Sequence, residues 1–594
     1  MQNRSWISRS KLLFAVLIVI LLITSLTLGL YFGLSEKENI SNFLEDEPFS
    51  TSFKHAAVVT NGRECAAIGK DILIRGGSVA DAAIATLLCE GVACFQSMGI
   101  GGGFLLTIYD RKKNIIETLN AREVAPLAAH KDMYKRNATL SSVGGLAVAV
   151  PGEIKGYESL YNRYGGKLPW KELFDPTIKL CREGILITNY TGKILKSKEK
   201  RILSEPSLRE IFVDPKTNRV WKAGDKMKRL KLAETLETIA LEGAQALYTG
   251  KIAQDLVDDI KAFNGIIELA DLEKYEPKWG DPISFNFTGK SGEIYKMFSS
   301  PLPGSGSVLK VIMNILNNMS GDFLPHELSN NLTWHRIVES FKHGYGIRTH
   351  LGDSDFVPNM NEFIENVTSQ NYINQLRLKI HDKYTINDPA YYGADFEQVE
   401  DHGTANIGLI APNGDAIVAT GTINLILGAF IRSVKTGIIL NDEMDDFSNP
   451  WADNSFGLKP SPANFIMPQK RPLSSMCPSI VLDENGDVQL LIGAAGGSKI
   501  TTSVALVTIR NLIYKQPIVE ALCAERLHHQ LYPMKIYMEY GFSEQLIKSL
   551  LLKQHKVSLS NPNDGFAAVT AISRENNSFV PFSDIRRNGS VAGF

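Results

Sequence analysis

Gly403-Thr404-Ala405-Asn406-Ile407-Gly408-Leu409-Ile410-Ala411-Pro412-Asn413-Gly414-Asp415-Ala416-Ile417-Val418-Ala419-Thr420 is the stretch that decides the fold. Ile407–Ala411 and Ala416–Thr420 are apolar runs on either side of Asn413-Gly414, and Asn-Gly between such runs is the strongest short-range hairpin signal. The arrangement returns at Ile480–Leu482 and Val488–Ile492 around Asn485-Gly486. Upstream, Phe104–Tyr109 and Ile115–Asn120 read as strands joined by the polar turn Asp110–Asn114, and Ala567–Ile572 reads as a late strand. Helical patterning fills the space around them. Ser78-Val-Ala-Asp81 has capping-box spacing ahead of the Ala-rich run Ala82 to Leu88. Leu232, Leu236, Ile239, Gly243 and Leu247 recur at helical spacing, and Ser498–Ile513 follows the second hairpin as a helix. Helices around two sets of largely antiparallel strands predict an α/β protein, a layered α/β/β/α sandwich. No composition change marks a boundary after Ala56, so the long helical middle is assigned to the same domain.

The chain of 594 residues is 44% hydrophobic and 21% charged, with a formal net charge of -1. That is a globular balance and offers no electrostatic case for nucleic acid. The basic run Lys193 to Arg201 reads as a solvated face. Six cysteines lie at 65, 89, 94, 181, 477 and 523. None forms a CxxC pair and no HExxH occurs, so neither a metal nor another cofactor is expected. At the N-terminus, Arg4, Arg9 and Lys11 precede an uncharged stretch from Leu12 to Leu34, long enough to cross a hydrocarbon core of ~30 Å as a helix. A cleaved signal usually has a shorter apolar region, and Thr27-Leu-Gly29 is a weak exit site. The basic flank places the N-terminus in the cytosol. The expected order is a cytoplasmic tail at 1–11, a signal-anchor transmembrane helix at 12–34, a stalk at 35–55 and an extracellular domain. Secretion after signal cleavage is the alternative. Sequons at Asn137, Asn189, Asn286, Asn318, Asn331 and Asn366 agree with a luminal route.

Three segments could carry chemistry. Ser97-Met-Gly99-Ile-Gly101-Gly102-Gly103 precedes a strand and lacks a following Gly-Lys-[Ser/Thr], so it reads as a turn where backbone approaches closely rather than as a phosphate loop. Gly493-Ala-Ala-Gly496-Gly497-Ser498 lies between a strand and a helix, where free N–H groups can stabilise an oxyanion. In Asp401-His402-Gly403-Thr404, cleavage after Gly403 would give Thr404 a free α-amine able to take the proton of its own hydroxyl.

Taken together, these motifs resemble the gamma-glutamyltransferase (gamma-glutamyl transpeptidase) family from about Ala56 to the C-terminus. The resemblance is carried by Ser97–Gly103, Asn120-Ala-Arg-Glu-Val-Ala-Pro126, Gly403-Thr-Ala405 and Thr420-Gly-Thr-Ile-Asn424. Gly437–Phe447, Pro472-Leu-Ser-Ser-Met-Cys-Pro478 and Gly493–Gly497 follow in the family's order. The family implies an Ntn-hydrolase four-layer αββα sandwich that cleaves itself between Gly403 and Thr404. Residues 56–403 and 404–594 would form the two subunits of a heterodimer. Thr404 would attack the gamma-glutamyl amide of glutathione or a conjugate and pass the glutamyl group to water, an amino acid or a dipeptide. Thr422 would orient Thr404, and the N–H groups of Gly496 and Gly497 would receive the oxyanion. Arg122, Ser474 and Ser475 would hold the α-carboxylate; Glu443, Asp446 and Asn424 would hold the α-ammonium. The pair Cys65–Cys89 matches a disulfide of animal members, as does the single N-terminal anchor.

The chain departs from the family pattern beside the nucleophile. Where the family usually has Thr-[Ser/Thr/Ala]-His-x-[Ser/Thr], it has Thr404-Ala-Asn406-Ile-Gly408. Thr420-Gly-Thr422 stands for Thr-Ser-Thr, and no aromatic residue precedes Gly428. Asn donates and accepts as neutral His does, over a shorter reach. These changes leave open a second reading, a catalytically impaired paralogue acting as a glutathione-binding or other non-enzymatic ectoprotein.

Overall fold

Both Asn-Gly hairpins form in the computed structural model, which describes residues 51–135, 137–317, 323–396, 403–451, 459–561 and 566–594. The elements that position the site begin with β1 (Ala57–Thr60), α1 (Cys65–Ile74), α2 (Val79–Ala93), β2 (Gly103–Asp110), β3 (Ile115–Ala121) and α3 (Asn189–Ser204). They continue with β4 (Lys278–Gly280), β5 (Ile283–Thr288), β6 (Ile294–Ser299), α4 (Gly306–Leu316) and α5 (Asn331–Arg348). The two hairpins are β7 (Ala405–Ile410) with β8 (Ala416–Thr422), and β9 (Ser479–Leu482) with β10 (Val488–Ala495). After them come α6 (Lys499–Thr508), β11 (Ala568–Glu575), β12 (Ser578–Ser583) and β13 (Ser590–Gly593).

Seven strands form one sheet in the order β13-β1-β7-β8-β2-β3-β4, and six form the other in the order β12-β11-β10-β9-β6-β5. Neighbouring strands in both sheets are antiparallel. Period-two alternation sorts the side chains of β7. Ala405, Ile407 and Leu409 join the core that includes Ala66 and Ile72 of α1 and Ala82 and Ala85 of α2. Ile410 joins Val59, Val418, Leu491 and Ile572 between the sheets. Thr404, Asn406 and Gly408 therefore share the inter-sheet side. On the other sheet, α4 packs on β5 and on α6, and α6 packs on β10. The expected helix–sheet–sheet–helix layering is thus present.

Local details follow from local chemistry. Ser78 Oγ accepts from Asp81 N at 3.0 Å and Asp81 Oδ2 accepts from Ser78 N at 2.9 Å, closing the expected capping box. Cys65 and Cys89 form a disulfide of 2.06 Å that ties α1 to α2. Residues 52–594 cluster as one unit, so the helical middle shares it with the hairpins. The stalk expected at 35–55 ends sooner than its polarity suggested. Phe53 exchanges backbone hydrogen bonds of 2.8 and 2.7 Å with Phe579, and His55 N donates to Phe594 O at 2.9 Å. Polar composition does not reveal such edge pairing. The helix expected over Ser498–Ile513 is α6 followed by a π-helical turn, Ile509–Ile513. The span expected at 12–34 and the tail at 1–11 lie outside the described residues. Among the described residues no helix is long and apolar enough to cross a membrane.

Candidate active site

Thr404 sits just ahead of β7 and is 1% exposed. Its hydroxyl has no hydrogen-bond partner among the described residues. The carbonyl of Gly403 beside it accepts from Thr422 Oγ1 at 2.9 Å, and Thr422 Oγ1 in turn accepts from Asn424 N at 2.9 Å. Gly403 holds φ +86°, and a Cβ there would collide with the Asn424 carbonyl. Only glycine fits both demands. Asn424 is itself left-handed at φ +67°, a conformation Asn tolerates, and its Nδ2 donates to Asp442 O at 3.1 Å. That bond joins the segment after β8 to Glu443.

The glycines of the early turn act as the sequence suggested, by admitting backbone. A Cβ on Gly101 would strike the Ile439 carbonyl, one on Gly102 the Thr422 carbonyl, and one on Gly103 the Ala121 carbonyl. Arg122, next along the chain, is fully buried. Its Nη1 lies 2.5 Å from Glu443 Oε1 and its Nη2 2.5 Å from Asp446 Oδ2. Its Nε and Nη2 also donate to the carbonyls of Pro472 and Leu473, at 2.8 and 3.1 Å. Those carbonyls immediately precede Ser474 and Ser475. Arg122, Glu443, Asp446 and the two serines are thus gathered, with the cation paired to both acids.

The serines are fixed from behind. Ser305 Oγ donates to Ser474 O at 2.6 Å, Ser474 N donates to Pro303 O at 2.8 Å, and Arg348 Nη2 from α5 donates to Ser475 Oγ at 3.1 Å. Thr501 Oγ1 of α6 donates to Ser475 O at 3.1 Å, linking the serines to the helix after the second glycine turn. In that turn Gly496 and Gly497 hold φ +140° and +61°. A Cβ on Gly496 would lie 2.6 Å from Ala567 Cα.

Asn406, the departure from the family pattern, lies between the sheets and is 1% exposed. Its amide atoms reach Thr420 Oγ1 at 2.7 Å and Thr570 Oγ1 at 2.6 Å, and its N–H donates to Asn61 Oδ1 at 2.8 Å. With Nδ2 turned toward β8 it donates to Ala419 O and Thr420, and Oδ1 accepts from Ile407 N and Thr570. It occupies space that a Cβ on Gly493 would invade, while Gly408 faces Val59, Leu491 and Ile572. Asn406 therefore bridges the sheets as a donor and acceptor.

Several neighbours take part without having been assigned a role by the sequence. Asn441 Nδ2 donates to the carbonyls of Gly101 and Ala149, and its Oδ1 accepts from Glu443 N at 3.0 Å. It sets the backbone of Glu443. Glu123, behind Arg122, is pushed up to about 8 by burial, and Glu153 likewise to about 8. Burial also drives Asp442 well above the carboxylate range. Arg587 Nη1 donates to the Thr404 carbonyl. A lone arginine near a C-terminus offers no pattern to find it by. Elsewhere, His335, Glu339 and His555 are close enough to share an ion. However, His335 Nδ1 already meets His555 Nε2 at 2.8 Å and Lys342 Nζ neutralises Glu339 at 3.0 Å, so the cluster satisfies itself.

The architecture matches that of cephalosporin acylase from Bacillus halodurans with a TM-score of 0.77 at 21% identity, over 92% of this chain and 97% of that one. That likeness is one of fold, and it defines the class as a layered α/β sandwich. The chain belongs to the gamma-glutamyltranspeptidase family, whose pattern it matches over residues 65–594. It is 41% identical over 569 residues to Scoloptoxin SSD14 of Scolopendra dehaani, covering 95% of both chains. It is 39% identical over 487 residues to Glutathione hydrolase 2 of Arabidopsis thaliana, covering 82% of both.

Proposed function

We propose that the protein is a gamma-glutamyltransferase and glutathione hydrolase that matures by cutting its own chain ahead of Thr404. The observation that carries this reading is the pairing of an uncommitted, buried hydroxyl with a polarised carbonyl. Thr404 Oγ1 has no partner among the described residues, while Thr422 donates to the Gly403 carbonyl next to it. Attack of Thr404 Oγ1 on that carbonyl transfers the Gly403 acyl group from nitrogen to oxygen. Water then hydrolyses the ester, leaving Thr404 with a free α-amine. In turnover the amine accepts the hydroxyl proton as Oγ1 attacks the gamma-glutamyl carbonyl, then returns it to the departing amine. Water or an acceptor amino group releases the glutamyl ester.

Recognition rests on the charge set around Arg122. An incoming glutamyl α-carboxylate takes the guanidinium, with help from Ser474 and Ser475. The α-ammonium takes Glu443, Asp446 and the Asn424 side chain. The internal ion pairs exchange for pairs with the substrate, so no charge is stranded. Gly496 and Gly497 are assigned to the oxyanion by their place between β10 and α6. Two fragments, 56–403 and 404–594, make up the mature heterodimer.

The uncharged N-terminal stretch supports a single-pass type II plasma-membrane protein with the catalytic domain outside. Asn137, Asn189, Asn286 and Asn366 are exposed, as glycosylation requires. No observation favours the impaired paralogue, because Asn406 supplies both a donor and an acceptor between the sheets.

Expression of the ectodomain tests the reading. Expected are a fragment whose sequence begins at Thr404 and release of chromophore from a gamma-glutamyl anilide. An uncut chain with no release, still binding glutathione, would overturn it.

A further inference from the structure

Beside the Thr404 carbonyl lies a cation with no part in the reaction described above. Arg587 precedes β13, and its Nη1 donates to the Thr404 carbonyl. Its guanidinium lies 5.2 Å from the centre of the Tyr190 ring of α3. One turn before the end of that helix, Arg201 sits 3.7 Å from the centre of the Phe430 ring, in the loop that follows β8. Thus α3 meets both the loop beside the nucleophile and the arginine that grips it. The carbonyl oxygen and the nitrogen of one residue are about 3 Å apart by covalent geometry. The charge on Arg587 therefore falls within roughly 5 Å of the atom that becomes the α-amine.

We propose that Arg587 is a positioning residue that fixes the Thr404 carbonyl and keeps the new α-amine unprotonated, and hence competent as a base. This rests on the Thr404 reading given above. The chemistry needs a free amine, whereas an ordinary α-amine titrates at about 7.7–8.0 and is largely protonated at neutral pH. A fixed cation nearby disfavours the ammonium and lowers that value. The other groups around this point do not supply the effect. Glu90 of α2 accepts from Gly62 N at 2.7 Å, and burial pushes it up to about 7, so it is largely neutral on the acid side. Cys94, at the end of the same helix, is driven up by burial and stays a thiol. Asp442, held by Leu425 N at 2.8 Å, is driven well up by burial. Tyr190 contributes its ring. Arg587 is then the cation that, among the described residues, hydrogen-bonds the Thr404 backbone, and its direction is set by the carbonyl it holds.

The test is the acid limb of kcat/KM against pH for the mature enzyme, using a gamma-glutamyl anilide, in Arg587→Met, Arg587→Gln and Arg587→Lys. Removing the charge is expected to move the limb up by about one pH unit. Arg587→Lys, which keeps the charge, should leave it within a few tenths. Arg587→Gln retains a donor to the carbonyl, so it serves where Arg587→Met fails to mature. An unmoved limb in the neutral variants, or an equal movement in Arg587→Lys, overturns the proposal. So does disappearance of the limb in Glu90→Gln, which would assign it to that carboxyl. A wild-type chain that stays uncut and inactive would strike the Thr404 reading instead.

Discussion

The two ends of the proposed site, one assigned to recognition and one to reaction, handle polar groups in opposite ways. At the recognition end Arg122, Glu443 and Asp446 are buried and paired at 2.5 Å, with backbone carbonyls taking further donors. At the reacting end the Thr404 hydroxyl is equally buried, yet it is left without a partner among the described residues. A buried charge without compensation costs several kcal/mol, so the charges must satisfy one another until substrate arrives. An unmade hydroxyl bond costs about 1–3 kcal/mol, which a large fold absorbs. The contrast teaches that the groups proposed for recognition are stored as pairs, while the proposed nucleophile is stored as strain on the polar balance.

Breaking the reacting end should have the largest effect. Thr404→Ala is expected to leave a single chain on a denaturing gel and lower anilide turnover by about 10⁴-fold or more. At the recognition end, Arg122→Lys keeps the charge but loses the fork that spans two acids and a carboxylate. It should lower kcat/KM by about 100-fold, read in steady-state assays, with the cut intact. The inter-sheet bridge separates stability from chemistry. Asn406→Ala deprives Thr420 and Thr570 of their partner and should cost about 1–3 kcal/mol in denaturant unfolding, with turnover changed far less than by Thr404→Ala. If Asn406→Ala instead blocks the cut, the two ends are less separate than they are drawn.

The smallest effect is one of pH. Glu123 and Glu153 are raised by burial from 4.5 to about 8, so between those values the folded chain binds more protons than the unfolded one. Their contribution to stability is full below about pH 4.5 and is lost as pH rises toward 8. Glu123→Gln should therefore flatten the fall of Tm across that window, read by thermal melts at constant ionic strength. An unchanged slope would remove Glu123 from the account.

The reach of sequence reasoning differed between these ends for physical reasons. Hairpins set by Asn413-Gly414 and Asn485-Gly486 are local, since turn chemistry and alternation lie within a few residues. The same holds for the capping box at Ser78 and for the crowded glycines at 101 to 103. Arg122 with Glu443, Asp446, Ser474 and Ser475 came from motif order, and no rule of spacing would have joined residues so distant along the chain. Arg587 and Arg348 escaped because each makes one polar contact here with no neighbouring pattern, and Asn441, although inside Gly437–Phe447, because its partners Gly101 and Ala149 are distant along the chain. The edge pairing of Phe53 with Phe579 escaped likewise. Asn406 departs from the family pattern at a place where alternation on β7 and the missing side chain at Gly493 turn it toward the second sheet, which the sequence alone does not show.

In the sheet β13-β1-β7-β8-β2-β3-β4, strands β1, β2, β3 and β4 come before residue 404 and β13, β7 and β8 after it. A cut ahead of Thr404 would leave two polypeptides woven through one another, each lending strands to the other's hydrogen-bonded ladder. Parting them then means unzipping the sheet, so dilution should not dissociate the pair, and its lifetime is set by the barrier to unfolding rather than by an ordinary equilibrium between subunits. Such a protein is assembled once, as a single chain, and separately made halves inherit no simple route back.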